Sequence, residues 1–243
     1  MSLLQNTFKK ATVKNARNMI IFSYPKVGKT ELMSQLPGKY LLLDFEHGSD
    51  FYDMNALCID DLDTLNALSK EFMETKPHFD FIVLDTITSL YNNLINAIAV
   101  GQYNKEEKKN KPLDWDITLL SYGVGYTYKR NALQTLMNFF SQYCNCLISL
   151  GHVADRSLGG NDESSTVKDL DIEGKLKNIL ALKTDAMGLL FRSSTNENSI
   201  AFTSNVGMIG GTRIPHLTNQ TIMISKKLED GSLETHWDKI FIK

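Results

Sequence analysis

An α/β fold built on a mostly parallel sheet, with helices on both faces and a C-terminal β-hairpin, is predicted by three observations. Short apolar runs alternate with stretches of helical period. Each of the first four runs ends at a polar or acidic residue. One junction between run and helix carries the wording of a phosphate-binding loop. Strands that are apolar along their whole length belong in a parallel sheet covered on both faces. In such sheets ligands bind beyond the carboxyl ends of the strands.

The elements follow in order. Residues 1–18 form a polar lead-in, with residues 19–243 as a single domain. Residues 19–22 are a buried strand, residues 31–36 open a helix, and Pro37-Gly38 stops it. Residues 40–44 are a second strand. Residues 62–75 place Leu62, Leu65, Leu68 and Phe72 at helical spacing, ahead of Pro77. Residues 79–84 are a third strand and 87–100 a helix. Residues 101–117 are polar and charged, and are expected to form an exposed insertion or mobile loop. Helix returns over 119–143, although Gly123 and Gly125 weaken its start. Residues 146–150 are a fourth strand, 152–171 a second long polar loop, and 175–182 a short helix. Strands at 187–192 and 200–204 precede a loop at 207–218. A hairpin of 221–225 and 235–242 closes around Asp230-Gly231.

Composition limits the function classes. Formal net charge is −2, which argues against a protein that coats DNA by bulk basicity. Lys9, Lys10, Lys14 and Arg17 stand in an acid-free lead-in, which reads as a solvated arm. No apolar run reaches membrane-spanning length, and no signal-peptide pattern is visible. Three cysteines without metal-type spacing point to a reducing cytosol, and a zinc site lacks visible partners. The expected location is cytoplasmic, in the host cytoplasm if the chain is phage-encoded, with no membrane partner.

The chemistry gathers at strand ends. Ser23-Tyr24-Pro25-Lys26-Val27-Gly28-Lys29-Thr30 follows a strand and opens a helix. Backbone N–H groups and the positive helix end converge there on phosphate, so Ser23 to Thr30 and the adjoining Glu31 are the candidate nucleotide-binding residues. Lys29 reaches the β- and γ-phosphates and the Thr30 hydroxyl ligates Mg²⁺. Ser23 stands where the pattern has its first glycine, a position that starts the loop without crowding the phosphates. Asp85 ends the strand Phe81-Ile82-Val83-Leu84 in the manner of a Walker B element and supports Mg²⁺. Glu46, just past a strand expected to lie beside that of the phosphate loop, is the candidate base for the attacking water, with Asp44 as its fallback. His152 ends the run Cys146-Leu147-Ile148-Ser149-Leu150-Gly151, where it can meet the γ-phosphate.

This order and wording resemble RecA-type ATPases. Leu43-Asp44-Phe45-Glu46-His47 looks like the strand with their catalytic glutamate. Ile82-Val83-Leu84-Asp85-Thr86 looks like their Walker B strand, and Leu150-Gly151-His152 is similar to the strand that ends in their phosphate-sensing glutamine. With Ser121-Tyr122-Gly123-Val124-Gly125-Tyr126 ahead of a long helix, the chain most resembles the short RecA-like nucleotide-binding proteins of bacteriophages, a group that includes single-strand annealing recombinases.

The resemblance implies ATP and Mg²⁺ as cofactors, and Lys29, Glu46 and His152 as the residues of hydrolysis. It implies two DNA-binding loops, at 101–117 with Lys105, Lys108, Lys109, Lys111 and Trp115, and at 153–171 with Arg156 and Lys168. It also implies a ring or filament of identical subunits in which Arg213 reaches a neighbour's nucleotide. The expected function is ATP binding and slow, or DNA-stimulated, hydrolysis in recombination, annealing or replication on single-stranded DNA, with a single-strand binding protein as a further partner. The alternative is a nucleotide-regulated assembly ATPase that binds no nucleic acid. A helicase or packaging motor needs more chain, and a kinase needs a lid and a substrate-phosphate arginine cluster that the sequence does not display.

Overall fold

The computed structural model describes residues 10–158, 165–193, 195–204, 208 and 210–242. The elements are β1 (Asn18–Ser23), α1 (Lys29–Met33), β2 (Tyr40–Asp44), β3 (Ala56–Cys58), α2 (Leu62–Thr75), β4 (Phe79–Asp85), α3 (Ile87–Asn93), α4 (Ile95–Glu107), α5 (Val124–Ser141), β5 (Cys144–Leu158), β6 (Ser165–Leu170), α6 (Leu176–Lys183), β7 (Ala186–Arg192), β8 (Glu197–Ala201), β9 (Gly211–Thr212), β10 (Thr221–Lys227) and β11 (Leu233–Thr235). They form one sheet in the order β11-β10-β8-β7-β1-β5-β4-β2-β3, with β6 paired to β5 and β9 to β7. From β7 to β3 every neighbouring pair is parallel. β8, β10 and β11 add antiparallel strands at one edge.

Successive side chains of a strand face opposite sides. Ile20 and Phe22 of β1 enter one core, and Met19 and Ile21 the other. The first core packs residues of α2 to α6, among them Phe72, Leu90, Ala99, Phe140 and Leu180. The second packs Leu32 and Met33 of α1 with Trp237 and Ile240 near the C-terminus. Helices therefore cover both faces, as a parallel block requires. Among the described residues no helix is long and apolar enough to cross a membrane.

One expectation about strand order is corrected. β2 does not lie beside β1, because β5 and β4 stand between them. Both are buried over most of their apolar runs, with Ile82, Val83, Leu84, Ile148 and Leu150 at 0 % exposure, and so stand inside the sheet rather than at its edge. Chain order says nothing about that placement.

Both polar stretches expected as loops are more structured than their composition suggests. Residues 101–107 continue α4. Tyr103 in this last stretch still packs on the core, which holds the helix on past Gly101. The segment beyond it is fastened back where Asn96 Nδ2 donates to the Trp115 carbonyl at 2.9 Å. The second stretch is an antiparallel hairpin, in which β5 continues past His152 and pairs with β6 from Val153↔Leu170 to Leu158↔Ser165.

At the C-terminal end the second hairpin strand is 233–235 rather than 235–242. Trp237 and Ile240 are buried from a 3-10 turn, Trp237–Lys239, whose three-residue repeat brings both to one side. Glycine at 125 has a packing reason: a Cβ there would stand 1.9 Å from the Ile117 carbonyl oxygen.

Candidate functional site

The phosphate loop leaves β1 at Ser23 and enters α1 at Lys29. Gly28 holds φ +104°, a conformation that favours glycine. Ser23 is fully buried and does more than tolerate its place. Its hydroxyl accepts the Lys29 ammonium at 3.2 Å and donates to the Tyr24 carbonyl at 2.8 Å. Burial pulls the Lys29 pKa down, while the Asp85 and Glu46 carboxylates push it back up.

The strand ends bring the sequence-predicted residues together. Ser23 lies beside His152 across β1–β5, and Asp44 beside Asp85 across β2–β4. Pro25, Lys26, Gly28, Lys29, Thr30, Glu31, Glu46, Asp85 and His152 all line one pocket of about 380 Å³. Thr30 Oγ1 donates to Asp85 Oδ2 at 2.6 Å. A hydroxyl and a carboxylate this close make a hard-oxygen donor pair suited to Mg²⁺. Burial pushes the Asp85 carboxyl up to about 6. The Thr30 hydroxyl opposes that rise, and the nearby Asp44 and Glu46 add to it.

Glu46 is held from one side. Its Oε1 accepts Thr86 Oγ1 at 2.5 Å, Ser89 Oγ at 2.5 Å and His152 Nε2 at 2.8 Å. Among the described residues no hydrogen bond falls on Oε2. Burial would raise the Glu46 pKa, but the bonds from His152, Ser89 and Thr86 together outweigh it and hold the carboxyl at about 2. Asp44, the fallback, is fully engaged elsewhere. Its Oδ2 accepts the Ser49 amide and hydroxyl at 2.7 and 2.6 Å, and its Oδ1 accepts the Glu46 amide at 2.9 Å. It shapes the loop that carries Glu46. The His152 amide donates to Thr88 Oγ1 at 3.1 Å. The buried Nδ1 of His152 has no hydrogen-bond partner among the described residues.

Sequence reasoning missed Arg192. It lines the same pocket from the end of β7 and donates from Nη2 to the Val27 carbonyl at 2.8 Å and from Nε to Asn198 Oδ1 at 3.2 Å. Asn198 is buried and donates in turn to Ser225 Oγ at 3.2 Å. The signal was weak because Arg192 lies 165 residues from Val27. Thr86 and Ser89 were also missed as partners of Glu46, though a hydroxyl after Asp85 was visible.

The candidate DNA residues are not gathered at one place. Lys105 is on α4 and Lys108 caps it in the left-handed region. Lys111 Nζ stands 4.8 Å over the Trp115 ring, and Trp115 is half-buried against Tyr103. Lys168 is on β6 opposite Asp155, with its Nζ 5.3 Å over the Tyr24 ring. Tyr24 donates to Asp155 Oδ1 at 2.6 Å, so the hairpin touches the phosphate loop. The Arg156 side chain lies outside the described residues. Arg213 is not at this pocket. It follows β9, which pairs with the amino end of β7, and its guanidinium donates to the Leu182 carbonyl at the end of α6.

No curated protein matches the chain. The family described as an AAA domain matches residues 15–214, a span that holds the phosphate loop, Glu46, Asp85, His152 and Arg192. The chain belongs to this AAA domain family and is a P-loop ATPase.

Proposed function

We propose that this ATPase is RecA-like in its working parts and acts on single-stranded DNA, in recombination, annealing or replication of the phage type. Lys29 holds the β- and γ-phosphates, and Thr30 and Asp85 hold Mg²⁺. When bound, the ion neutralises charge on those phosphates. Glu46 uses its open Oε2 to take a proton from the water that attacks the γ-phosphorus. Oε1 stays bound by Thr86, Ser89 and His152, which keeps the carboxylate ionised and aimed. His152 carries the state of the γ-phosphate to the hairpin that grows from it. In a ring or filament, Arg213 would reach the nucleotide of a neighbour.

The observation that carries the DNA reading is a groove of about 550 Å³ lined by Tyr91, Tyr122, Tyr126, Arg130 and Lys175, with the Glu173 carboxylate on the same wall accepting the Tyr91 hydroxyl. Tyr122 is fully exposed in the left-handed region, and Tyr126 is 42 % exposed. Exposed aromatic faces beside cations suit unpaired bases on a phosphate backbone, with stacking worth about 1–3 kcal/mol per base. The wall of the groove at 173–176 hangs from the nucleotide site, since the Asp171 amide donates to the His152 carbonyl at 2.9 Å. A Tyr122→Ala/Tyr126→Ala double variant tests this with a fluorescent oligo-dT. The expected result is at least a tenfold loss of affinity with ATP binding intact, and unchanged affinity would remove the groove from the proposal.

The net charge of −2 favours a second reading, an assembly ATPase without nucleic acid. It predicts that ATP changes oligomeric state while oligo-dT never binds at low salt.

A further inference from the structure

Beside the nucleotide pocket the fold assembles a second set of donors. One ligand atom each from His47, Asp50 and Cys58 lies within 4.8 Å of the others. His47 Nδ1 is 3.7 Å from Asp50 Oδ2, and Cys58 Sγ is 3.8 Å from Asp50 Oδ1. Zinc bonds of about 2.0–2.3 Å in tetrahedral array separate ligands by about 3.3–3.7 Å. Both distances stand near that length, one to each oxygen of the Asp50 carboxylate.

The positions are set by the backbone. Cys58 ends β3, in register with Asp44 of β2. His47 sits in the left-handed region as the cap of the 3-10 turn Gly48–Phe51, which contains Asp50. That turn is pinned by the buried Asp44 carboxylate through Ser49. Outside the trio, His47 Nε2 bonds Asp60 Oδ1 at 2.7 Å. A metal-bound histidine almost always gives its second ring N–H to a carboxylate, which orients the ligating nitrogen. Here that leaves Nδ1 on the side of Asp50.

We propose that His47, Asp50 and Cys58 bind one zinc ion, with Asp60 orienting His47 and water in the fourth position. One nitrogen, one oxygen and one sulfur form a borderline-soft set that favours zinc over Mg²⁺ or Ca²⁺. Binding replaces the Cys58 S–H bond with S–Zn and releases that proton to solvent. Cys144 and Cys146 are buried in the sheet and do not compete. The ion would clamp the 46–51 loop to β3. That loop carries Glu46, and a Cβ at its Gly48 would stand 3.0 Å from Thr30 Oγ1. The proposal rests on the cluster alone, independent of any nucleic acid role.

The test uses the full chain, reduced and stripped of metal, titrated with Zn²⁺ against a chromophoric chelator and with Co²⁺ by absorption. The expected result is one Zn²⁺ per chain and a cobalt–thiolate charge-transfer band. Cys58→Ser abolishes the band and weakens zinc by at least tenfold, as does His47→Ala. Asp60→Asn weakens it about 10–100-fold, and Cys144→Ser changes neither readout. Circular dichroism of the metal-free variants shows that each is folded. Absence of the band, or a band and affinity that survive in folded Cys58→Ser, overturns the proposal.

Discussion

Replacing Glu46 by Gln separates nucleotide binding from hydrolysis. The ordinary carboxyl value of 4.5 falls to about 2 in the fold. At about 1.4 kcal/mol per tenfold change this favours the carboxylate by about 3 kcal/mol, an upper figure because the side chain is 30 % exposed. Gln keeps an oxygen for Thr86, Ser89 and His152 but brings no charge and cannot take a proton. Loss of a general base costs about 10²–10⁴ in turnover, while contacts to the phosphates are untouched. Phosphate release under saturating Mg-ATP should fall by that factor, with ATP affinity within about threefold of wild type by the same reasoning.

The stability signature has a sign. The folded pKa lies below the unfolded one, so the contribution of Glu46 is complete above pH 4.5 and is lost as pH falls toward about 2. The gap in Tm between wild type and Glu46→Gln should therefore narrow as pH drops below 4.5. Turnover retained within tenfold, or a gap that widens in acid, would refute the assignment of Glu46.

Other substitutions read other parts of the account. Lys29→Ala should cost more than about tenfold in ATP affinity, since a charge-assisted phosphate contact is lost; retained affinity would contradict the phosphate-loop assignment. Arg192→Ala frees the Val27 carbonyl and should raise KM for ATP by roughly tenfold, on the scale of a hydrogen bond to a charged group. Arg192→Lys should not rescue it, because one fork serves both Val27 and Asn198, and full rescue would reduce Arg192 to a bare charge. Gly125→Ala drives a methyl against the Ile117 carbonyl and should destabilise by about 1–3 kcal/mol, visible as a lower urea midpoint; an unchanged midpoint would mean that α5 shifts freely.

What could be read in the sequence was what short segments decide for themselves. The runs that became β1, β2 and β4, and the phosphate loop, carried local patterns that packing did not override. α2 announced itself by Leu65, Leu68 and Phe72 on one face and by Pro77 beyond its end, while its cap, Asp61, which accepts the Thr64 amide at 2.7 Å, was seen only in the fold. Three residues of half-exposed β3 carry no periodic signal, so the partner of β2 was invisible. The insertion of β4 and β5 between β1 and β2 is a tertiary choice. Glu46 could be named from its strand-end wording, yet its three partners come from elements 40 to 106 residues away. Composition misled at the β5–β6 hairpin, where polar residues pair in a ladder instead of forming a loop. The zinc ligands were hidden for the same reason as Arg192, because only the parallel pairing of β2 with β3 brings Cys58 to His47.

The central claim is that the nucleotide site governs the aromatic groove through His152. It is tested most directly by oligo-dT binding to wild type and His152→Ala, with and without Mg-ATP, across a salt series. The account predicts salt-sensitive binding that ATP tightens in wild type, and a loss of that tightening in His152→Ala while ATP itself still binds. Equal tightening in both proteins, or no oligo-dT binding at low salt with ATP bound, would contradict it.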